Sequence, residues 1–195
     1  RLVRRPVVRA KPPVTLTLAE VDAIRHQCRT MRDRVVIELA YGLGLRVMEI
    51  AALQVEDIDW RRMLVEVNGQ GGSIDVLPLP QRVAWAIKAY YLQAPPPGSG
   101  PVVRRLYSSL PMTADTLSKL VIKLSKAAGV KRAPYDGRGA HSLRRTCATD
   151  LLESGASVVQ VQQVLRHQNL ATTQAYLRRS SAEELRGVLE RRATA

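Results

Sequence analysis

Cysteine is scarce in this chain: only Cys28 and Cys147 occur, far apart in the sequence. They form no metal-ligand spacing, so a disulfide framework and a zinc module are both excluded, and two reduced core thiols are expected. Long apolar runs are missing as well. No stretch approaches the roughly 20 apolar residues of a bilayer-spanning helix, and the N-terminus lacks the apolar core of a secretory signal. A soluble, cytoplasmic protein is the expectation. No phosphate-binding glycine loop, paired-carboxylate site or His/Cys cluster is present, so no nucleotide or metal cofactor is expected. Acid is in deficit too, with 17 Asp and Glu against 30 Lys and Arg, a net charge of +13 and a pI near 10.5. That excess is more than solubility requires and points to a polyanionic partner, nucleic acid before any other.

What is present suffices for one core. A chain of 195 residues, 46% of them hydrophobic, reads as a single domain over 15–195. Ahead of it, residues 1–14 form a basic tether: Arg1 to Pro13 hold five basic side chains, three prolines and no acid, a composition that cannot pack. Arg1 in place of a methionine suggests a trimmed chain or an excised domain.

The coarse pattern is mainly α with a small antiparallel β-sheet. Thr17 and Glu20 form a capping box ahead of Val21, Ile24 and Cys28, and a second helix runs from about Arg32 to Tyr41. A glycine-rich turn, Gly42 to Gly44, then leads to Arg46 at the start of a third helix. Two alternating stretches, Met63 to Val67 and Ile74 to Leu79, read as a hairpin. Pro80 opens a helix through Tyr91 at its first position, and Ala94 to Pro101 is a loop. Thr113 caps a helix to Ala128 with Leu117, Leu120, Val121 and Leu124 inward. His141 begins another helix, stopped by Gly155, and Ser157 caps a short one to His167. Ser181 and Glu184 box a last amphipathic helix.

One region concentrates chemistry. In HSLRRTCATDLLESGASVVQVQQVLRHQNLATTQAY, His141 and Arg144 stand three apart and project from one face of a first helical turn. His167 and Tyr176 follow. Upstream, Arg46 lies in GLGLRVMEIAAL, where it either pairs with Glu49 three residues on or, at a helix start, faces a phosphate. The second reading is favoured.

These residues resemble, in order and spacing, the signature of the tyrosine recombinases, or phage integrases. His141 to Arg144 matches H-x-x-R, Leu165-Arg166-His167 matches L-G-H, and Arg46 to Ile50 matches the first arginine motif. Tyr176 matches the nucleophile. The resemblance covers nearly the whole chain from about Thr17 and implies the family's catalytic-domain fold. It also implies cleavage and rejoining of double-stranded DNA through a 3′-phosphotyrosyl intermediate, a homo-oligomer on DNA that is a tetramer in synapsis, and a setting in the bacterial nucleoid or a phage-infected host.

The chemistry is coherent with that resemblance. A phosphodiester repels nucleophiles by its own charge, and Arg46 and Arg144 offer planar forks that neutralise it. His167 can donate a further hydrogen bond, His141 can accept or donate a proton, and a phenol such as Tyr176 stores the bond energy in an ester, needing no cofactor. One departure stands out. The family pattern G-K-G-x-K-x-R places a general-acid lysine in the hairpin turn, whereas this chain has Gln70 there, then Ser73 and Asp75. An amide cannot protonate a leaving alkoxide. A DNA-binding module that kept the fold but lost or impaired the activity is therefore the alternative, and a type IB topoisomerase is a third reading. The basic residues Lys119, Lys123, Lys126, Lys131, Arg132, Arg138 and Arg145 are read as the DNA-facing surface.

Overall fold

The computed structural model describes residues 14–69, 72–96, 98–105 and 108–166. Gln70, His167, Tyr176, the tether over 1–13 and the expected C-terminal helix lie outside the described residues.

Seven α-helices, one 3-10 helix (Val55–Asp57) and three strands are described. Helix α1 (Leu18–His26) opens on the expected capping box: the Glu20 amide donates to Thr17 Oγ1 at 3.1 Å, and the Thr17 amide donates to Glu20 Oε2 at 2.9 Å. Helix α2 (Met31–Gly42) is the centre of the core, with Val35, Val36, Ile37, Leu39 and Ala40 all fully buried. Such all-round burial follows from neighbours on several sides, α4 and α6 chief among them. Even its acid is interior. Glu38 is wholly buried and takes a two-pronged bond from Arg25 of α1, 2.9 Å on each oxygen, and a third from Arg34 at 2.7 Å. A buried carboxylate is tolerated only when paired this fully.

Gly44 turns the chain between α2 and the short α3 (Val47–Ala52). The sheet follows as β1 (Ile58–Asp59), β2 (Leu64–Asn68) and β3 (Ile74–Pro78), antiparallel and in sequence order, with Ile58 opposite Val65 and Leu64 opposite Pro78. Val65, Val67 and Leu77 face the core while Glu66, Ile74 and Val76 face out, the alternation expected of a half-buried hairpin. Two details differ from the sequence reading. β1 adds a third strand too short for alternation to reveal, and Pro80 is the cap residue before α4 (Gln81–Gln93) rather than its first residue.

Helix α5 (Ala114–Ala127) carries Leu117, Val121 and Leu124 inward, and Thr113 caps it. A loop from Lys131 to Arg138 leads into α6 (Ala140–Glu153), and α7 (Val158–Leu165) follows, boxed by Ser157 and Gln160. The expected run of α7 to His167 is corrected. It ends at Leu165, because Arg166 adopts a left-handed conformation, φ 52° and ψ 48°.

Candidate active site

The site is assembled where the start of α3, the first turns of α6 and the end of α7 meet. Glu49 sits at its centre, buried at 7% exposure. Its Oε2 accepts the backbone amide of Arg46 at 2.7 Å, which closes the first turn of α3, and its Oε1 accepts Arg46 Nη1 at 2.8 Å. The Arg46 side chain keeps 30% of its surface in solvent. Pairing with Glu49, one of the two readings posed by the sequence, is thus present, and it leaves part of the guanidinium accessible.

Arg144 comes at Glu49 from α6. Its Nη1 donates to the Gly44 carbonyl and its Nη2 to the Leu165 carbonyl, and Nη1 lies 3.6 Å from Glu49 Oε2. Arg166 approaches from the far end of α7 and donates from Nη2 to the same Oε2 at 2.7 Å. Three guanidiniums therefore surround one carboxylate. Burial disfavours the charged carboxylate, but the hydrogen bonds from Arg166 and Arg46 outweigh it and hold Glu49 below its ordinary range,.

Gly44 makes this convergence possible. Its φ is +60°, and a Cβ there would lie 2.6 Å from Leu165 Cδ2 and 3.3 Å from Cys147 Sγ. Only glycine lets the α2–α3 turn approach α6 and α7 closely enough for its carbonyl to receive Arg144.

His141 and Arg144 do not share one face, as the three-residue spacing suggested. Arg144 is 5% exposed beside the buried Leu143, Cys147 and Ala148, whereas His141 is exposed at the rim. Positions three apart differ by about 60° around a helix, enough for one to turn inward and the other outward. Partial desolvation first, then repulsion by Arg145, Arg144 and Arg46, lower the His141 pKa below its ordinary 6.5. A neutral imidazole able to accept a proton results.

The basic surface is only partly as expected. Lys119, Lys123, Lys126 and Arg132 are exposed, with Lys119 paired to Asp115 at 2.7 Å, and Arg145 is half-buried. Arg138 is also half-buried, 3.7 Å from Glu20. Lys131 is corrected: it is 9% exposed, and its ammonium bonds Asp136 at 2.7 Å and the Pro134 carbonyl at 3.1 Å. Asp136 also accepts the backbone amides of Arg132, Ala133 and Arg138, so Lys131 shapes this loop from within. Among the described residues no cluster of His, Cys, Asp or Glu is placed to hold a metal ion, and no helix is long and apolar enough to cross a membrane.

Sequence reasoning missed Glu49 as the hub, treating it only as a competitor for Arg46, although its spacing after Arg46 is the signature of a helix-start carboxylate. It also passed over Arg166.

Fold and site together define a class: a mostly helical domain in which Arg46, Arg144 and Arg166 surround the buried Glu49 carboxylate, with His141 exposed at the rim. The chain belongs to the phage integrase family, whose family model matches residues 15–183. It is 34% identical over 193 residues to the tyrosine recombinase XerA of Thermococcus onnurineus, a match covering 97% of this chain and 66% of that protein. It is likewise 34% identical over 180 residues to the tyrosine recombinase XerC of Mycobacterium bovis, covering 90% and 59%. The chain thus spans less than two thirds of the length of these relatives. In fold it is similar to the crystal structure of XerA recombinase, with a TM-score of 0.77, 21% identity and coverage of 96% and 66%. It is also similar to a lambda integrase dimer bound to a COC′ core site, with a TM-score of 0.72, 18% identity and coverage of 89% and 62%.

Proposed function

We propose that this chain is the catalytic domain of a site-specific DNA recombinase that cuts and rejoins double-stranded DNA through a phosphotyrosyl ester. The observation that carries the reading is the convergence of Arg46 and Arg144 on the buried Glu49, with His141 at the rim of the same helix start. Arg46 and Arg144 bind the non-bridging oxygens of the scissile phosphate, where each preorganised donor is worth roughly 3–4 kcal/mol when removed alone. Tyr176 Oη attacks phosphorus, His141 takes the phenolic proton, and the P–O5′ bond breaks. The DNA 3′ end is left esterified to tyrosine, and the departing 5′ oxygen takes its proton from solvent water. His167 adds a donor to the same phosphate. Rejoining is the reverse attack by a 5′-hydroxyl.

Lys119, Lys123, Lys126, Arg132, Arg138 and Arg145 supply the DNA-facing charge, and the tether over 1–14 lies along the duplex. The working form is a homo-oligomer on DNA, a tetramer in synapsis, acting in a bacterial nucleoid or a phage-infected host. The sequence match to named tyrosine recombinases supports this reading. So do similar folds described as bound to DNA, the lambda integrase dimer and the XerH recombinase on its difH substrate.

The test is covalent capture. Nicked suicide duplexes of randomised sequence are incubated with wild type and with Tyr176→Phe, and adducts are recovered under denaturing conditions. Adducts with wild type alone are expected, with duplex binding preserved in the variant. Absence of wild-type adducts, or equal yields from both proteins, would refute the proposal.

A further inference from the structure

Arg166 occupies a position that should disfavour it. Its left-handed backbone is disfavoured for a residue with a side chain,, and the family pattern L-G-H has glycine there. Its side chain is 2% exposed, and Nε is buried with no hydrogen-bond partner. A guanidinium in such a place must be compensated by a specific partner. Two are present: Arg166 Nη1 donates to the Val164 carbonyl at 2.7 Å, and Nη2 donates to Glu49 Oε2 at 2.7 Å.

The second contact matters because Oε2 is the oxygen nearest Arg144. Arg166 takes it at hydrogen-bonding length, while Arg144 Nη1 stays at 3.6 Å and gives its protons to the carbonyls of Gly44 and Leu165. With Arg166 gone, Glu49 Oε2 would keep the Arg46 amide and have an open lone pair, with Arg144 Nη1 3.6 Å away. The carboxylate would draw Arg144 into a direct pair, and two cations instead of three would share its charge.

We propose that Arg166 is a positioning residue for the phosphate-binding arginines, which occupies Glu49 so that Arg144 stays on its two carbonyl anchors instead of collapsing onto the carboxylate. Resting on the recombinase reading above, this adds a determinant 117 residues from the carboxylate it holds. Arg166 touches no substrate; it acts through Glu49 on Arg144.

The experiment compares Arg166→Met, which fills the space without charge, with Arg166→Lys, which keeps the charge. Single-turnover cleavage should fall about 10²-fold in Arg166→Met, as expected for misplacement of a substrate-binding group by about 1 Å. Arg166→Lys should recover most of that loss. In a Glu49→Gln background Arg166→Met should cost little more, since its route is already cut. A merely structural role predicts instead that Arg166→Met and Arg166→Lys track their unfolding midpoints, with the penalty persisting in full beside Glu49→Gln. A second measurement needs no activity: in crystals of Arg166→Met the Arg144 Nη1 to Glu49 distance should close from 3.6 Å to hydrogen-bonding length. An unchanged distance overturns the proposal. Closure of that distance in a protein that never cleaves DNA would instead retire the recombinase reading and leave only the coupling of Arg166 to Arg144 through Glu49.

Discussion

Replacing Gly44 by alanine should damage stability and the cradle together, and the structure separates the contributions. The left-handed φ of +60° costs a residue bearing a Cβ about 1–2 kcal/mol. The new methyl would then stand 2.6 Å from Leu165 Cδ2, a fully buried side chain, and overpacking of that kind adds about 1–3 kcal/mol. Their sum, about 2–5 kcal/mol, is a large share of the 5–15 kcal/mol typical of a whole domain. Gly129 provides the control. Its φ is +68°, but a Cβ there meets nothing within 4 Å, so Gly129→Ala should lose only the backbone part. Urea unfolding of both variants, at equal m-values, reads the difference directly. Leu165→Val, which lacks the offending carbon, should return part of the loss in the Gly44→Ala protein and none in Gly129→Ala. Because the Gly44 carbonyl receives Arg144, cleavage by Gly44→Ala should fall further than its folded fraction accounts for. Equal midpoints for Gly44→Ala and Gly129→Ala would refute the argument that close approach, rather than backbone conformation alone, fixes this residue.

If the hairpin turn reaches the scissile phosphate, Gln70→Lys should speed single-turnover cleavage by ~10² to 10⁴, with a smaller gain on a 5′-bridging thiolate that departs unprotonated; equal rates on ordinary DNA would sink this view of position 70. Duplex binding should weaken steeply with salt, by about 0.9 log units per neutralised phosphate per log unit of salt, and Lys123→Gln with Lys126→Gln should flatten that slope, whereas an unaltered slope removes this face from the interface. The acid limb of the cleavage profile should lie below pH 6.5, because desolvation and the neighbouring arginines lower the pH at which His141 takes up a proton. Arg145→Gln should move the His141 titration upward in NMR, though not fully, since desolvation contributes more than Arg145 does, and no movement would show that Arg145 does not act on it. Glu49, whose pKa folding depresses, stabilises the fold fully above its unfolded value of about 4.5 and loses that contribution as pH falls through its folded value; Glu49→Gln should flatten acid unfolding in that window, and an unchanged acid limb would count against the hub.

Local signals were legible and distant pairings were not. The box at Thr17 and the caps at Thr113 and Ser157 are written within four residues, and each appears as read. The end of α7 was misread because no glycine marks it; Arg166 is held left-handed beside a carboxylate supplied by α3. Lys131 looked like surface because its partner Asp136 meets it through a folded loop, not along a helix face. The order of Arg46, His141 and Arg144 pointed to one site. Spacing alone could not reveal that Glu49 holds two of these cations at different distances, or that the histidine opens outward while its neighbour turns in.

Arg144 draws its two carbonyl partners from opposite directions along the chain, Gly44 a hundred residues earlier and Leu165 twenty-one later. During synthesis the chain emerges from its N-terminal end, so α2, α3 and α6 are available while α7 is still within the ribosome. In that interval the arginine has only half its anchorage and Glu49 lacks the cation that α7 brings. The site around Glu49 is therefore finished last, and a chain interrupted before α7 would hold Arg144 by the Gly44 carbonyl without that of Leu165.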